Sequence, residues 1–178
     1  LIKSACRAST LLDDWAAPSS GRTSGLYAGF VGYVRAQIKV LEKNGFAPKI
    51  RAMCWMQGEG DYYPGYAEQY FSQLSYFVGD LRDELMEYCG GTEFAFIDAG
   101  VSDAPLWYQY VAINAAKEQF AALSERNIYI DTIAEGLSTS EEPAEDPDLA
   151  HYDSSSMIKL GHLFAEAVTP FLSVDEAE

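Results

Sequence analysis

The chain has 178 residues, 48% hydrophobic and 13% aromatic, which is enough to bury the core of one globular domain and too apolar for a disordered chain. Its 27 acidic residues against 12 basic ones give a formal net charge of −15, a field that repels phosphate backbones and anionic lipid, so nucleic acid and membrane are not expected partners. No apolar run approaches the ~20 residues of a membrane helix. The three cysteines, Cys6, Cys54 and Cys89, lack the close pairing of a disulfide framework or a zinc site.

Leu1 to Ala5 (LIKSA) opens the chain as a strand already under way, with no initiating methionine, no signal-peptide pattern and no preceding turn. The chain is therefore expected to begin inside a fold, as a single but N-terminally incomplete domain over residues 1–178. Phe30, Val34, Ile38 and Leu41 then recur at helical spacing, and Lys43 to Gly45 supplies a glycine stop. A second strand is predicted over Ile50 to Met56 (IRAMCWM), with Cys54 as a small buried hydrophobe. Tyr66, Tyr70, Leu74, Phe77, Leu81 and Leu85 mark one long amphipathic helix ending before Gly90 and Gly91. Strands over Glu93 to Ala99 and Asn127 to Asp131 flank a helix from about Tyr110 to Ser124. Ser138 to Pro147 is acidic and proline-containing and reads as a surface loop. The last helix is predicted from about Ser156 to Phe171, with Met157, Leu160, Phe164 and Val168 on one face.

Strands alternating with helices of this length imply βαβ units, a parallel sheet covered on both faces, and a three-layer α/β/α fold. Ligands in such folds bind at the carboxyl ends of the strands. That edge would carry the loop after LIKSA, Gln57 to Asp61 (QGEGD) and Ser102-Asp103. Gln-Gly-Glu after an apolar strand has two readings: an active-site rim with converging polar side chains, or a β-turn whose charges face water.

The chain has two histidines. His162 lies inside a helical pattern and reads as a structural or surface residue. His151 sits in DPDLAHYD, with Asp148 three residues upstream. Asp-x-x-His on a loop lets the carboxylate reach back to the imidazole Nδ1, fixing the tautomer, turning Nε2 outward and stabilising an imidazolium. The plain alternative is an acidic surface loop carrying a chance histidine.

Three blocks in order, LIKSACRASTLLDDW, WMQGEGD and DLAHYDSSSMIKLGHLFAEA, resemble the SGNH-type hydrolases. The resemblance is to the branch holding acetylxylan-esterase-like carbohydrate esterases and sialate O-acetylesterases, and it covers nearly the whole chain. Typical segments there read K-x-A-x-G-G-T-S-L-x-x-D-W, W-x-Q-G-E-S-D and D-x-x-H-[FY]. The resemblance implies a flavodoxin-like SGNH hydrolase fold and carbohydrate O-acetyl esterase activity on xylan-type or sialic-acid-type sugars. It implies His151 as general base, Asp148 as its orienting carboxylate and Glu59 as a further acidic partner. Gln57 would help form the oxyanion hole, with Gly58 and the Ala8-Ser9 backbone beside it. No cofactor or metal is implied, although Asp61, Asp148 and Glu59 could weakly hold a cation.

Two departures from the family pattern stand out. Arg7-Ala8-Ser9-Thr10 replaces Gly-Gly-Thr-Ser, and Gly60 replaces a serine. The block carrying the nucleophilic serine precedes the segment resembling LIKSA and is absent here, so the serine is expected outside this chain and Ser9 is its weak substitute. The family's first strand goes with that block. The gap would be filled by self-association or by a partner chain, would reflect a lost segment, or would force a rearranged sheet. The expected ligand is an acetylated carbohydrate. The competing reading is a non-catalytic or truncated relative acting as a binding module. Trp15, Tyr62, Tyr63, Trp107 and Tyr108 are candidates to stack on sugar rings, or ordinary packing. Compartment is left open by the sequence.

Overall fold

The computed structural model describes residues 10–172. The predicted first strand and Cys6, Arg7, Ala8 and Ser9 lie outside them. The other three strands form where expected: β1 (Ala52–Met56), β2 (Ala95–Ala99) and β3 (Asn127–Ile130), all parallel, in the order β1-β2-β3. Among the described residues five α-helices accompany them: α1 (Gly25–Lys43), α2 (Pro64–Ala67), α3 (Tyr70–Leu85), α4 (Tyr110–Ala121) and α5 (Ser154–Val168).

Side-chain alternation along β2 sorts the two outer layers. Phe96 faces α3 and α4, where it joins Phe77, Leu74, Leu81, Ile113 and Phe120 in one buried cluster. Ala95, Ile97 and Ala99 face the other way and meet Ile130, Leu160 and the Leu163–Phe164 flank of α5 in a second. Full burial of a Leu or Phe such as Leu74 or Phe77 contributes about 1.5–3 kcal/mol, so these clusters hold the layers together. The expected α/β/α arrangement is the one observed.

Three sequence expectations are corrected. The single helix predicted from Tyr66 to Leu85 is two, because Glu68 and Gln69 form a turn in which Gln69 donates its side chain to the Gly65 carbonyl at 2.8 Å. Cys54 is exposed rather than buried: β1 is an edge strand among the described residues, and the face carrying Cys54 and Met56 lies away from α3 and α4. Met157 is 48% exposed, while Leu160 on the same helix takes the core position. For Trp15 the packing reading holds: it is buried, its indole edge-on to Phe30, Trp55 and Phe77 at 5.3–6.1 Å, and it is not offered to a ligand.

Two buried cations brace the sheet at its opposite ends. At the amino end Arg82 of α3 donates to the Phe94 carbonyl and to Asn127 Oδ1, linking β2 to β3. At the carboxyl end the fully buried Lys117 of α4 donates to Asp98 Oδ1 at 2.6 Å and to the Ala99 carbonyl at 2.8 Å, with its ammonium over the Tyr70 ring. Burial pushes the Asp98 carboxyl up to about 6 despite this lysine, and Asp98 Oδ2 has no partner. Such a pair is costly to break from one side. Lys117→Met leaves a buried carboxylate unpaired and should cost about 3–5 kcal/mol of unfolding free energy, while Lys117→Met/Asp98→Leu should recover most of it. Denaturant unfolding of the two variants measures this, and a double variant less stable than the single one would refute the bracing role.

Candidate active site

Because the strands are parallel, their carboxyl ends open onto one edge. Gln57-Gly58-Glu59 follows β1, Gly100-Val101-Ser102 follows β2, and Asp131-Thr132 follows β3. The His151 loop is tied to this edge from α5. Tyr152 donates its hydroxyl to the Gly100 carbonyl at 3.3 Å, the same oxygen that Thr132 Oγ1 reaches at 3.1 Å. Trp107 donates its indole N–H to the carbonyl of Ala150, the residue before His151, at 3.2 Å. Asn114 of α4 clamps both backbone groups of Val101, at 2.8 and 2.9 Å.

The Asp148–His151 pair forms as the spacing predicts. Asp148 Oδ2 lies 2.8 Å from His151 Nδ1, while Oδ1 accepts from the backbone amides of Ala150 and His151 at 3.0 and 3.2 Å. The carboxylate thus serves as a turn-former and an imidazole partner at once. The hydrogen bond from His151 holds the Asp148 carboxyl below the usual aspartate value. Between them Leu149 adopts φ 58°, a left-handed conformation costing a non-glycine residue about 1–2 kcal/mol. The acidic loop offsets this strain: Leu149 N–H donates to Thr139 O, and Asp148 N–H to Glu142 O, both at 3.2 Å. That loop is at the surface, as expected, and is itself fixed to the start of α5. Asp153 Oδ1 accepts from the amides of Glu141 and Glu142, and Glu142 Oε2 accepts from the amide and hydroxyl of Ser154. Glu142, Pro143, Asp148, His151, Tyr152 and Asp153 line an open concavity of about 400 Å³. The His151 side chain is 81% exposed. Among the described residues its ring bonds to Asp148 and to no serine.

The Gln-Gly-Glu segment is built differently, from the inside. Gln57 is buried, and its amide is held at both ends: Nε2 donates to Asp61 Oδ2 at 2.6 Å, and Tyr70 donates its hydroxyl to Oε1 at 3.1 Å and to the Gln57 carbonyl at 2.9 Å. Asp61, 1% exposed, also accepts from the backbone amides of Leu11 at 2.8 Å and Leu12 at 3.5 Å. One carboxylate therefore joins the loop after β1 to the start of the described chain. Burial pushes the Asp61 carboxyl up, opposed by the hydrogen bonds from Gln57, Leu11 and Leu12.

Gly58 takes φ 141°, and a Cβ there would sit 2.7 Å from Val101 and 2.8 Å from Ile113, so only glycine allows this turn to press onto α4. Glu59 begins a 3-10 turn and is half-buried. No hydrogen bond joins it to His151; its field acts on Tyr152, Tyr70 and Asp98. Asp61 faces Gln57 while Asp148 faces His151, so the two carboxylates do not converge on one cation position. Among the described residues no three His, Cys, Asp or Glu side chains converge as a metal cluster. His162 is exposed on α5, in keeping with the surface reading. Ser102 is buried with an unpartnered hydroxyl, and Asp103 is exposed.

Sequence reasoning missed Asp61 and Tyr70 as organisers of Gln57. Asp61 read as one polar residue of the Gln57–Asp61 rim or turn and a candidate weak cation ligand, and Tyr70 as one more apolar position in a helix. Only the fold shows that a residue four past Gln57 and another thirteen past it return to the same amide.

Comparison with known proteins completes the description. A family profile described as carbohydrate esterase, sialic acid-specific acetylesterase, matches residues 1–170. The solved structure of a protein from Arabidopsis thaliana matches with a TM-score of 0.69 at 20% identity, covering 93% of this chain and 58% of that one. NanS matches with a TM-score of 0.65 at 21% identity, covering 83% and 53%. At such identities these likenesses establish the fold, and this chain spans a little over half the length of each. No curated protein sequence matches. With the family profile running through LIKSA, Gln-Gly-Glu and Asp-x-x-His alike, the chain belongs to the sialic acid-specific acetylesterase family of carbohydrate esterases.

Proposed function

We propose that this chain carries the histidine half of a carbohydrate O-acetylesterase. It would act by a Ser-His-Asp mechanism on acetylated sugars of the xylan or sialic acid type. The observation that supports it most is the Asp148–His151 pair: a 2.8 Å contact at Nδ1 on a solvent-open imidazole, which leaves Nε2 pointing away from its carboxylate.

In this reading His151 Nε2 takes the proton of a serine hydroxyl as the serine oxygen attacks the acetyl carbonyl. Asp148 stabilises the resulting imidazolium. The tetrahedral intermediate collapses as the imidazolium returns the proton to the sugar oxygen, leaving an acetyl-serine. Water, deprotonated by the same histidine, then attacks the acetyl-serine; the bond to the serine oxygen breaks as the imidazolium returns the proton to it, and the acetyl group leaves as acetic acid. Gln57 is the oxyanion-hole donor: an amide fixed by two buried partners needs no reorganisation when negative charge develops. The Gly58 turn supports that amide, the Ala8-Ser9 backbone is the expected second donor, and Glu59 adds negative charge on the His151 side of the cleft. No serine among the described residues is paired with His151, so the nucleophile is taken from outside them.

That last point also favours a second reading, a non-catalytic relative that binds sugars without turnover. Acetate release from acetylated xylan fragments and from O-acetylated sialic acid separates the two. The esterase reading expects hydrolysis that His151→Ala reduces about 10³-fold or more, with Asp148→Asn also impaired. No hydrolysis supports the binding module instead, and hydrolysis indifferent to His151 overturns the Ser-His-Asp assignment.

A further inference from the structure

Beside the candidate site lies an aromatic cluster that the mechanism does not use. Tyr62 and Tyr63, immediately after Asp61, stack with ring centroids 4.4 Å apart and 27° between planes, and their hydroxyls are 3.0 Å apart. Tyr108 stands edge-on to Tyr62 at 5.2 Å, Trp107 lies 6.0 Å from it, and Tyr66 flanks Tyr63 at 6.2 Å. The group bridges the two halves of the site. Tyr62 follows the Gln-Gly-Glu turn, and Trp107 bonds the backbone just before His151.

These rings are ordered but not spent on the core. Tyr63 is 53% exposed and Tyr108 54%, with Leu106 beside them at 54%. Trp107 packs against the main cluster and Tyr66 bonds Asp13, so the group is anchored from below. An aromatic surface packed ring against ring and open to solvent is suited to the flat C–H face of a pyranose ring, which covers apolar area at little entropic cost.

Charge narrows the choice of sugar. Asp13 accepts from Tyr66, Glu59 and Asp103 act on Tyr152, and Asp148 pairs with His151, so several carboxylates lie on the segments that carry these rings. Of the nearby cations among the described residues, Lys117 is fully buried against Asp98 and Arg22 is paired with Asp13. A carboxylate-bearing sugar is repelled by that negative field, whereas a neutral one is not.

We propose that Tyr62, Tyr63, Trp107 and Tyr108 form a binding platform for a neutral pyranose chain, and that the site takes its acetyl esters from such chains rather than from anionic sialosides. The platform rests on the carbohydrate esterase reading for its purpose but not for its test, because binding is measured on sugars that carry no acetyl group.

The test is titration of the purified protein with xylohexaose and with 3′-sialyllactose, followed by calorimetry and tryptophan emission. Trp15 and Trp55 are buried, so a change in emission on binding reports Trp107. Xylohexaose should bind, 3′-sialyllactose should bind at least about tenfold more weakly, and Tyr63→Ala/Tyr108→Ala should weaken xylohexaose binding about tenfold or more. Tyr63→Phe/Tyr108→Phe, which keeps both rings, should restore it at an unfolding temperature matching the wild type. Absence of xylohexaose binding, equal binding by the alanine variant, or preference for 3′-sialyllactose each overturns the platform. If the protein binds xylohexaose through these tyrosines yet hydrolyses no acetyl ester, the esterase reading fails and the platform stands.

Discussion

The Asp61 carboxylate is the interaction on which the candidate site depends. It is buried, and its donors come from two places far apart in sequence: the Gln57 amide, four residues before it, and the backbone of Leu11 and Leu12, 50 and 49 residues before it. A buried carboxylate is tolerated only where such donors are supplied, and donors left without it would each face the cost of an unmade hydrogen bond, about 1–3 kcal/mol. The chain segment beginning at Thr10 and the turn after β1 are therefore placed together or not at all. Tyr70 completes the arrangement by fixing which end of the Gln57 amide carries nitrogen.

Around that point the molecule divides its labour. The Gln57 side is internal and rigid: Gly58 presses onto Val101 and Ile113, and Lys117 ties α4 to the end of β2. The His151 side is external, and its rigidity comes from hydrogen bonds rather than burial. An Asp-centred turn, a strained Leu149 and a docked acidic loop hold an imidazole whose ring stays in water. Trp107 and Tyr152 join the two sides through the Ala150 and Gly100 carbonyls. A general base needs access and a fixed tautomer, and an oxyanion donor needs fixed direction; the two constructions match those different needs.

Much of this was legible in the sequence. The β2 and β3 strands and α4 follow directly from short apolar runs alternating with helical periodicity, and Asp148–His151 follows from a three-residue spacing. What escaped notice has physical causes. Trp15 was open to two readings because its core contacts, Phe30, Trp55 and Phe77, are distant in sequence and only the fold brings them together. Cys54 shares an apolar run with Trp55, yet period-two alternation sends the two to opposite faces, and only one face is covered among the described residues. The break at Glu68-Gln69 leaves the apolar periodicity intact, so periodicity alone could not reveal it. Asp61 was visible as a residue but not as a junction, since both its partners are fixed by the fold. The predicted first strand and the Ala8-Ser9 backbone lie outside the described residues.

The most direct test of this account is a double-mutant cycle between Asp61 and Gln57, read in kcat for acetyl ester hydrolysis. If Asp61 acts through the Gln57 amide, Gln57→Ala should lower kcat about 10²–10³-fold and Asp61→Ala substantially, and the double variant should lose little beyond Gln57→Ala alone. Losses that multiply, each substitution taking its full toll in the presence of the other, would mean that Asp61 and Gln57 act independently. The buried carboxylate would then be a feature of the fold and not the organiser of the site.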